Sequence, residues 1–170
     1  MLFRSILFEI IEGINAGCGR TFSVGIRLSP ERFGVHTAEI RDLAAALLVD
    51  QRVDYVDMSL WDVTKPAHED AFNGQSLLEI FTDLPRDGVA LGGAGKLYSA
   101  AQCQEVLDKG LDFVIVGRGA ILHHDFPQRA MADAGFAMRD LPVSRDYLKA
   151  EGLGPAFIDY MASWEGFVAD

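Results

Sequence analysis

Residues 89–119, VALGGAGKLYSAAQCQEVLDKGLDFVIVGRG, decide the fold class of this chain. Two short apolar runs, at 89–93 and 112–117, flank a helical pattern at 99–110 that ends at Gly110. A strand, a helix and a second strand in this order are typical of a right-handed crossover between parallel strands. The stretch therefore predicts an α/β protein with a parallel sheet.

The same alternation of strand and helix runs through the preceding residues. Apolar runs at 22–29 and 53–61 predict two more strands, and helical spacing at 36–51 and 76–84 predicts helices that follow them. We expect Thr37 to cap the first of these helices. We also expect the strands to be apolar on both faces, as parallel strands between layers of helices are.

An amphipathic helix precedes the first strand. Apolar residues recur at helical spacing from Ile6 to Ile14, and the pattern ends near Gly17. Glu9 and Glu12 interrupt the apolar segment, which excludes a secretory signal peptide. Since no run approaches the ~18 to 20 apolar residues of a membrane span, we expect a cytoplasmic protein with no membrane partner.

The composition narrows the classes of partner. The chain has 170 residues, a formal net charge of −10 and a pI of about 4.7, so its surface repels polyanions. Nucleic-acid binding needs a basic face, and we expect no nucleic-acid partner. Cys18 and Cys103 stand far apart, without a CxxC motif or a nearby histidine cluster, so we expect neither a disulfide framework nor a metal site.

Repeated βα units are typical of a (β/α)8 barrel, and four strands make half of one. We therefore predict part of a TIM barrel, as a single partial domain over residues 1–170. Its four βα units would span 1–130, and a tail with one or two short helices beyond residue 141 would occupy 131–170. The alternative is an open, doubly wound parallel sheet, whose strand order reverses at a switch point.

In both arrangements, ligands bind beyond the carboxyl ends of the strands. The residues at those ends include Arg27, the turn Gly92–Gly95 and the pair Gly117–Arg118. Glycines let backbone N–H groups approach an anion, and the planar fork of arginine suits a phosphate. The pattern indicates a phosphate site. Ordinary turn glycines, and an Arg27 that pairs with an acid, remain the alternatives.

Two weaker features surround the second predicted strand. Asp54, Asp57 and Asp62 could in principle do acid–base work or bind a metal. Because side chains alternate along a strand, Asp54 and Asp57 should lie on opposite faces, and we expect no shared site. Trp61, at the end of the strand, could line a substrate pocket or pack against a helix.

Four segments together resemble the C-terminal half of the Old Yellow Enzyme family of FMN-dependent ene-reductases and NADH:flavin oxidoreductases. They are SVGIRLSPERFG, VDYVDMSL, LGGAGKLYSAAQCQEVLDKGLDFVIVGRGAIL and HHDFP, in the family's order, and the resemblance covers about residues 1–130. It implies that the four strands are barrel strands five to eight. It also implies an oxidoreductase that passes hydride from NAD(P)H through FMN to an activated alkene or a related electrophile.

The resemblance also implies roles for individual residues. Arg27 matches the arginine that faces the pyrimidine edge of the flavin. The glycine turn after the third strand and the Gly-Arg pair after the fourth match the segments that hold the FMN phosphate. The implied cofactor-binding residues are Arg27, Gly92, Gly93, Ala94, Gly95, Gly117 and Arg118.

Other parts of the family's site have no counterpart in this sequence. The substrate-anchoring His with a His or Asn, and the proton-donating tyrosine, belong to the family's first half, so we expect no catalytic residue here. His123 and His124 stand where the family has NPD, and we expect helix-start or surface roles for them.

We therefore expect a chain that is inactive alone, and that is a fragment of a longer protein or pairs with a complementary half or a second copy. The alternatives are a non-enzymatic half-barrel that binds a phosphorylated ligand or a partner chain, and a phosphate-binding barrel enzyme without flavin.

Overall fold

The computed structural model describes residues 2–19, 21–31 and 34–169. Arg32 and Phe33, at the end of the SVGIRLSPERFG stretch, lie outside the described residues, as do Met1, Arg20 and Asp170. The chain forms two compact units. The first comprises residues 1–95 and 106–115, and the second comprises residues 96–105 and 116–170.

The first unit is built on a four-stranded parallel sheet. Its strands are β1 (Gly25–Leu28), β2 (Tyr55–Ser59), β3 (Ala90–Ala94) and β4 (Phe113–Ile115). Each strand pairs with the next, in the order β1-β2-β3-β4. A doubly wound sheet would reverse its strand order at a switch point. That alternative is therefore wrong, and the sequential order agrees with the wall of a barrel.

The helices lie close to their predicted positions. They are α1 (Leu2–Cys18), α2 (Thr37–Leu47), α3 (Leu77–Thr82) and α4 (Ala100–Asp108), and a 3₁₀ turn (Asp70–Phe72) lies in the loop before α3. Within the described residues, no helix combines the length and the apolar character that crossing a bilayer requires.

Helix α2 begins differently from the prediction. His36 is the N-cap residue, and its side chain makes no capping hydrogen bond. The carboxylate of Glu69 instead accepts hydrogen bonds from the backbone N–H groups of Thr37 and Ala38. The expected cap by Thr37 is therefore wrong, because a carboxylate from a distant loop satisfies the donors that a local side chain usually satisfies.

The two faces of the sheet differ in character. Val56, Met58 and Leu91 are buried on one face, which we call the apolar face. The opposite face carries the row of register partners Arg27, Asp57, Gly92 and Phe113, and we call it the arginine face. Gly25, Arg27 and Tyr55 on this face are exposed. The expectation that the strands are apolar on both faces is therefore wrong, because β1 and β2 alternate with a period of two.

Strands β2 and β4 begin with the same hydrogen-bonding arrangement. The carboxylate of Asp54 accepts a hydrogen bond from the N–H of Val24 at 2.6 Å. The carboxylate of Asp112 accepts one from the N–H of Leu91 at 2.7 Å. Each aspartate thus ties its strand to the preceding one and helps to set the register. Asp54 has this structural role, away from Asp57, as the alternation of side chains predicts.

The second unit consists of short helices around an apolar cluster. The helices wholly within this unit are α5 (Arg118–Leu122), α6 (Phe126–Ala132), α7 (Arg145–Ala150) and α8 (Pro155–Ala162). The cluster consists of Leu122, Val143, Leu148, Ile158, Met161 and Phe167. Two of these helices, α7 and α8, lie beyond residue 141.

Candidate functional site

Arg27, on the arginine face of β1, is held by two residues of β2. Its Nε lies 3.3 Å from Oδ2 of Asp57, its register partner. Its Nη2 donates a hydrogen bond to Oγ of Ser59 at 3.0 Å. The Arg27 side chain is still 58% exposed, whereas that of Asp57 is 7% exposed. Arg27 therefore pairs with an acid, which was the alternative to a role in phosphate binding. Its exposed side chain can still contact a ligand.

Asp57 is an unusual residue for the middle of a sheet. Its Oδ1 atom is buried and has no hydrogen-bond partner among the described residues. Burial raises the pKa of Asp57 above its ordinary value, and the positive charge of Arg27 acts in the opposite direction. The sequence places Asp57 only in a group with Asp54 and Asp62, for acid–base work or a metal. Its spacing of two residues from Ser59 was the available signal for a shared face.

Packing explains two of the predicted phosphate-turn glycines. A Cβ on Gly92 would collide with the ring of Phe113, its register partner in β4. A Cβ on Gly93 would lie 2.8 Å from Cδ1 of Leu111. A ligand is therefore not needed to explain why glycine stands at either position.

The end of the same turn ties β3 to the loop that follows β2. A Cβ on Gly95 would lie 2.8 Å from the backbone nitrogen of Asp62 and 2.9 Å from the carbonyl carbon of Trp61. The carbonyl of Ala94 accepts a hydrogen bond from the N–H of Leu60 at 2.8 Å. Gly95 thus permits close backbone approach. The Trp61 side chain is exposed, so it is not buried against a helix.

The Gly-Arg pair that follows β4 belongs to the second unit. Gly117 is exposed, and nothing among the described residues lies within 4 Å of the position that a Cβ would take. The Nη1 of Arg118 donates a hydrogen bond to the hydroxyl of Tyr98 at 3.1 Å. Its guanidinium carbon lies 5.6 Å from the centre of the Trp164 ring. Arg118 is therefore positioned by two aromatic side chains, and Gly117 leaves space for a ligand.

The adjacent histidines His123 and His124 have separate surroundings. His123 is buried, and its Nε2 accepts a hydrogen bond from the N–H of Arg139 at 2.9 Å. Its Nδ1 lies 3.3 Å from the hydroxyl of Tyr147. Burial lowers the pKa of His123, and the nearby arginines add to this effect. His124 is exposed, with Nδ1 2.8 Å from Oε2 of Glu151. A surface role is therefore wrong for His123, which is buried, and agrees with the exposed position of His124.

His123, Asp125 and Glu151 place possible metal ligands within 4.8 Å of one another. Both ring nitrogens of His123 already lie within hydrogen-bonding distance of protein groups. Oε2 of Glu151 accepts from the N–H of His124 at 3.0 Å. The group is therefore a hydrogen-bonded network of the second unit rather than a set of free metal ligands.

The chain is similar to two curated flavin-dependent or NADPH-dependent enzymes of bacteria. It is 29% identical over 117 residues to the probable NADH-dependent flavin oxidoreductase YqiG of Bacillus subtilis, covering 67% of this chain and 31% of that protein. It is 26% identical over 130 residues to an NADPH dehydrogenase of Bacillus cytotoxicus, and this match covers 75% of this chain and 36% of that protein. The chain thus spans about a third of the length of these curated relatives. No family model matches it.

Solved structures of morphinone reductase share the fold. One, in complex with tetrahydroNAD, is 27% identical, with a TM-score of 0.54, and the match covers 78% of this chain and 35% of that chain. A second gives a TM-score of 0.55 at 24% identity with the same coverage, and supports the fold alone. The four strands therefore correspond to part of a larger barrel, and the predicted half-barrel is confirmed.

Proposed function

The chain resembles the flavin oxidoreductases of the Old Yellow Enzyme family over about three quarters of its length, and on this premise we propose that it is the FMN-binding half of an NAD(P)H-dependent oxidoreductase. The complete protein would pass hydride from NAD(P)H through FMN to an activated alkene or a related electrophile. One observation carries the proposal. An exposed guanidinium, held in place by Asp57 and Ser59, stands at the position that the resemblance assigns to the flavin.

The donors of Arg27 fit the chemistry of that position. The pyrimidine edge of a flavin presents acceptor atoms, and it gains negative charge when the flavin is reduced. A guanidinium is a permanent positive charge with several N–H donors in one plane. Bound FMN would supply the hydride chemistry. Arg27 would orient the ring and stabilise its negative charge.

The phosphate assignment is best supported at Gly117 and Arg118. Packing accounts for the glycines at 92, 93 and 95, whereas a Cβ at Gly117 would meet no described neighbour. Tyr98 and Trp164 hold the guanidinium of Arg118, which lowers the entropy lost when it binds an anion. We assign Gly117 and Arg118 to the FMN phosphate. The backbone of Gly93 and Ala94 is assigned to it on the resemblance alone.

We propose further that this chain alone does not reduce activated alkenes. The sequence has no counterpart of the residues that anchor the substrate and donate the proton in the family. A second candidate function, a non-enzymatic half-barrel that binds a partner chain, is favoured by the exposed arginine face, on which Tyr55 is 39% exposed.

A titration of the purified chain with FMN, followed by the quenching of flavin fluorescence, tests the proposal. We expect saturable binding that is lost in Arg27→Ala and retained in Arg41→Ala, which removes an arginine from helix α2. The absence of FMN binding by the unaltered chain would reject the proposal. Binding of inorganic phosphate without FMN binding would favour the alternative of a phosphorylated ligand other than flavin.

A further inference from the structure

The packing of the sheet does not explain why position 57 carries an aspartate. Asp57 lies in β2 between Arg27 of β1 and Gly92 of β3, which are its register partners. Gly92 has no side chain that could donate a hydrogen bond to it, so Arg27 is its one charged register partner. One carboxylate oxygen, Oδ1, remains buried without a hydrogen-bond partner among the described residues.

A buried polar atom without a partner destabilises a fold relative to an apolar side chain of similar size. Asp57 is itself buried on the arginine face, so an apolar side chain of similar size at this position would also be shielded from water. Stability therefore does not account for a carboxylate here. Its contact with Arg27 does.

We propose that Asp57 is a positioning residue for Arg27: with Ser59 it fixes the direction of the guanidinium, and its negative charge limits the positive charge that Arg27 presents to a bound flavin. This inference rests on the proposed function. Oδ2 of Asp57 contacts Nε, and Ser59 accepts from Nη2, so both contacts lie along one edge of the guanidinium. The remaining N–H groups are left for the ligand.

The negative charge of Asp57 should change the relative affinity of the site for reduced and oxidised FMN in a definite direction. Reduction of a flavin places negative charge at its pyrimidine edge, which Arg27 stabilises and an ionised Asp57 opposes. Asp57 thereby weakens the preference of the site for reduced over oxidised FMN. Burial raises the pKa of Asp57 and the charge of Arg27 lowers it, so the two act in opposite directions on the ionisation of Asp57.

The test replaces Asp57 by asparagine, which keeps the shape and the acceptor oxygen and removes the charge. The ratio of the affinity for reduced FMN to that for oxidised FMN should rise at least about tenfold, which for a two-electron couple is ~30 mV in the reduction potential. Asp54→Asn is the matched control. It removes a charge from the same strand segment, where the carboxylate binds only the N–H of Val24 among the described residues, and it should leave the potential unchanged.

A second measurement needs no flavin. The rate at which phenylglyoxal modifies Arg27, followed by mass spectrometry against Arg41 in the same sample, should rise several-fold in Asp57→Asn, because the guanidinium loses its carboxylate. If Asp57→Asn does not fold, Asp57→Ser, a smaller neutral residue, serves for both measurements.

The outcomes separate the two claims. If the unaltered chain binds FMN and Asp57→Asn shifts neither the potential nor the modification rate, the role of Asp57 is rejected and the proposed function stands. If the unaltered chain binds no FMN, the proposed function is rejected, and the effect of Asp57 on a bound flavin is rejected as well. An unchanged modification rate would then also reject the positioning of Arg27. An equal shift of the potential in Asp54→Asn would show a general charge effect and overturn the inference.

Discussion

The ring of Phe113 occupies the space that a side chain on Gly92 would fill, and the two residues are register partners in β4 and β3. Tyr55 lies over Gly25 in the same way. The two rings meet edge to face, with their centres 5.7 Å apart. Aromatic side chains over glycines thus pack part of the arginine face, and Gly92 owes its identity to this packing.

Alanine substitutions at two glycines should therefore have different effects. Gly92→Ala places a methyl group within the Phe113 ring and should lower the free energy of unfolding by about 1–3 kcal/mol. Gly117→Ala meets no described neighbour, and should change this free energy by less than about 0.5 kcal/mol while it weakens FMN binding. Denaturant unfolding and FMN titration of both variants measure these effects. Unimpaired FMN binding by Gly117→Ala would remove Gly117 from the site.

Arg118→Lys should weaken FMN binding although the positive charge is kept. Lysine cannot reproduce the planar fork of a guanidinium or its contacts with Tyr98 and Trp164. We expect a loss of roughly 1 to 3 kcal/mol in binding free energy. Tyr98→Phe, which removes only the hydroxyl, should lose less. Arg118→Lys and Arg118→Ala that both bind FMN as the unaltered chain does would show that Arg118 lies outside the site.

Glu69→Ala should destabilise helix α2 from a distance. It removes the acceptor of the Thr37 and Ala38 N–H groups, and the loss of a helix cap costs about 0.5–2 kcal/mol. Asp70→Ala, at the next and exposed position, is the control. Chemical denaturation of the two variants gives the comparison. Equal stability would mean that another group, or water, caps the helix equally well.

His123 should make the fold less stable below neutral pH. Its folded-state pKa is lowered by burial, so the unfolded chain takes up a proton at a higher pH than the folded chain does. The contribution of neutral His123 to the free energy of unfolding is fully present above the unfolded pKa of about 6.5. It is lost as the pH falls from there toward the folded pKa. Denaturant unfolding as a function of pH measures the slope.

His123→Gln should lower the free energy of unfolding above neutral pH, where His123 is neutral and hydrogen-bonded, and should remove its part of that slope. His124→Gln, at an exposed position, should leave this part intact. A slope around pH 6 that is the same in His123→Gln and in the unaltered chain would assign the acid sensitivity to other groups.

The isolated chain should associate and should not reduce an enone. The arginine face leaves Tyr55 39% exposed, and helix α1 leaves Ile6 and Ile10 each 52% exposed. Light scattering and an assay with cyclohexenone and NADPH test the two expectations. A monodisperse monomer that reduces cyclohexenone would contradict both. Tyr55→Lys, which places a charge on the arginine face, should reduce the association.

The candidate site was predictable where it follows from the order of the elements. Arg27, Gly95 and Gly117 could be placed at or just beyond strand ends because strands and turns have local sequence patterns. The reasons for the glycines were not predictable. Gly92 and Gly95 are explained by Phe113 and by the backbone of Asp62, and neither contact is visible in a run of glycines.

The sequence by itself determined the local features of this protein: a parallel α/β chain, the positions of its strands and helices, and the glycine that ends helix α4. These follow from patterns within a few residues. Tertiary structure alone decided that Glu69 caps α2 and that Asp57 and Ser59 hold Arg27. Each of these depends on residues about 30 positions apart, such as Arg27 and Ser59, separated by 32. Strand register and loop packing bring such residues together, and neither has a local signature in the chain.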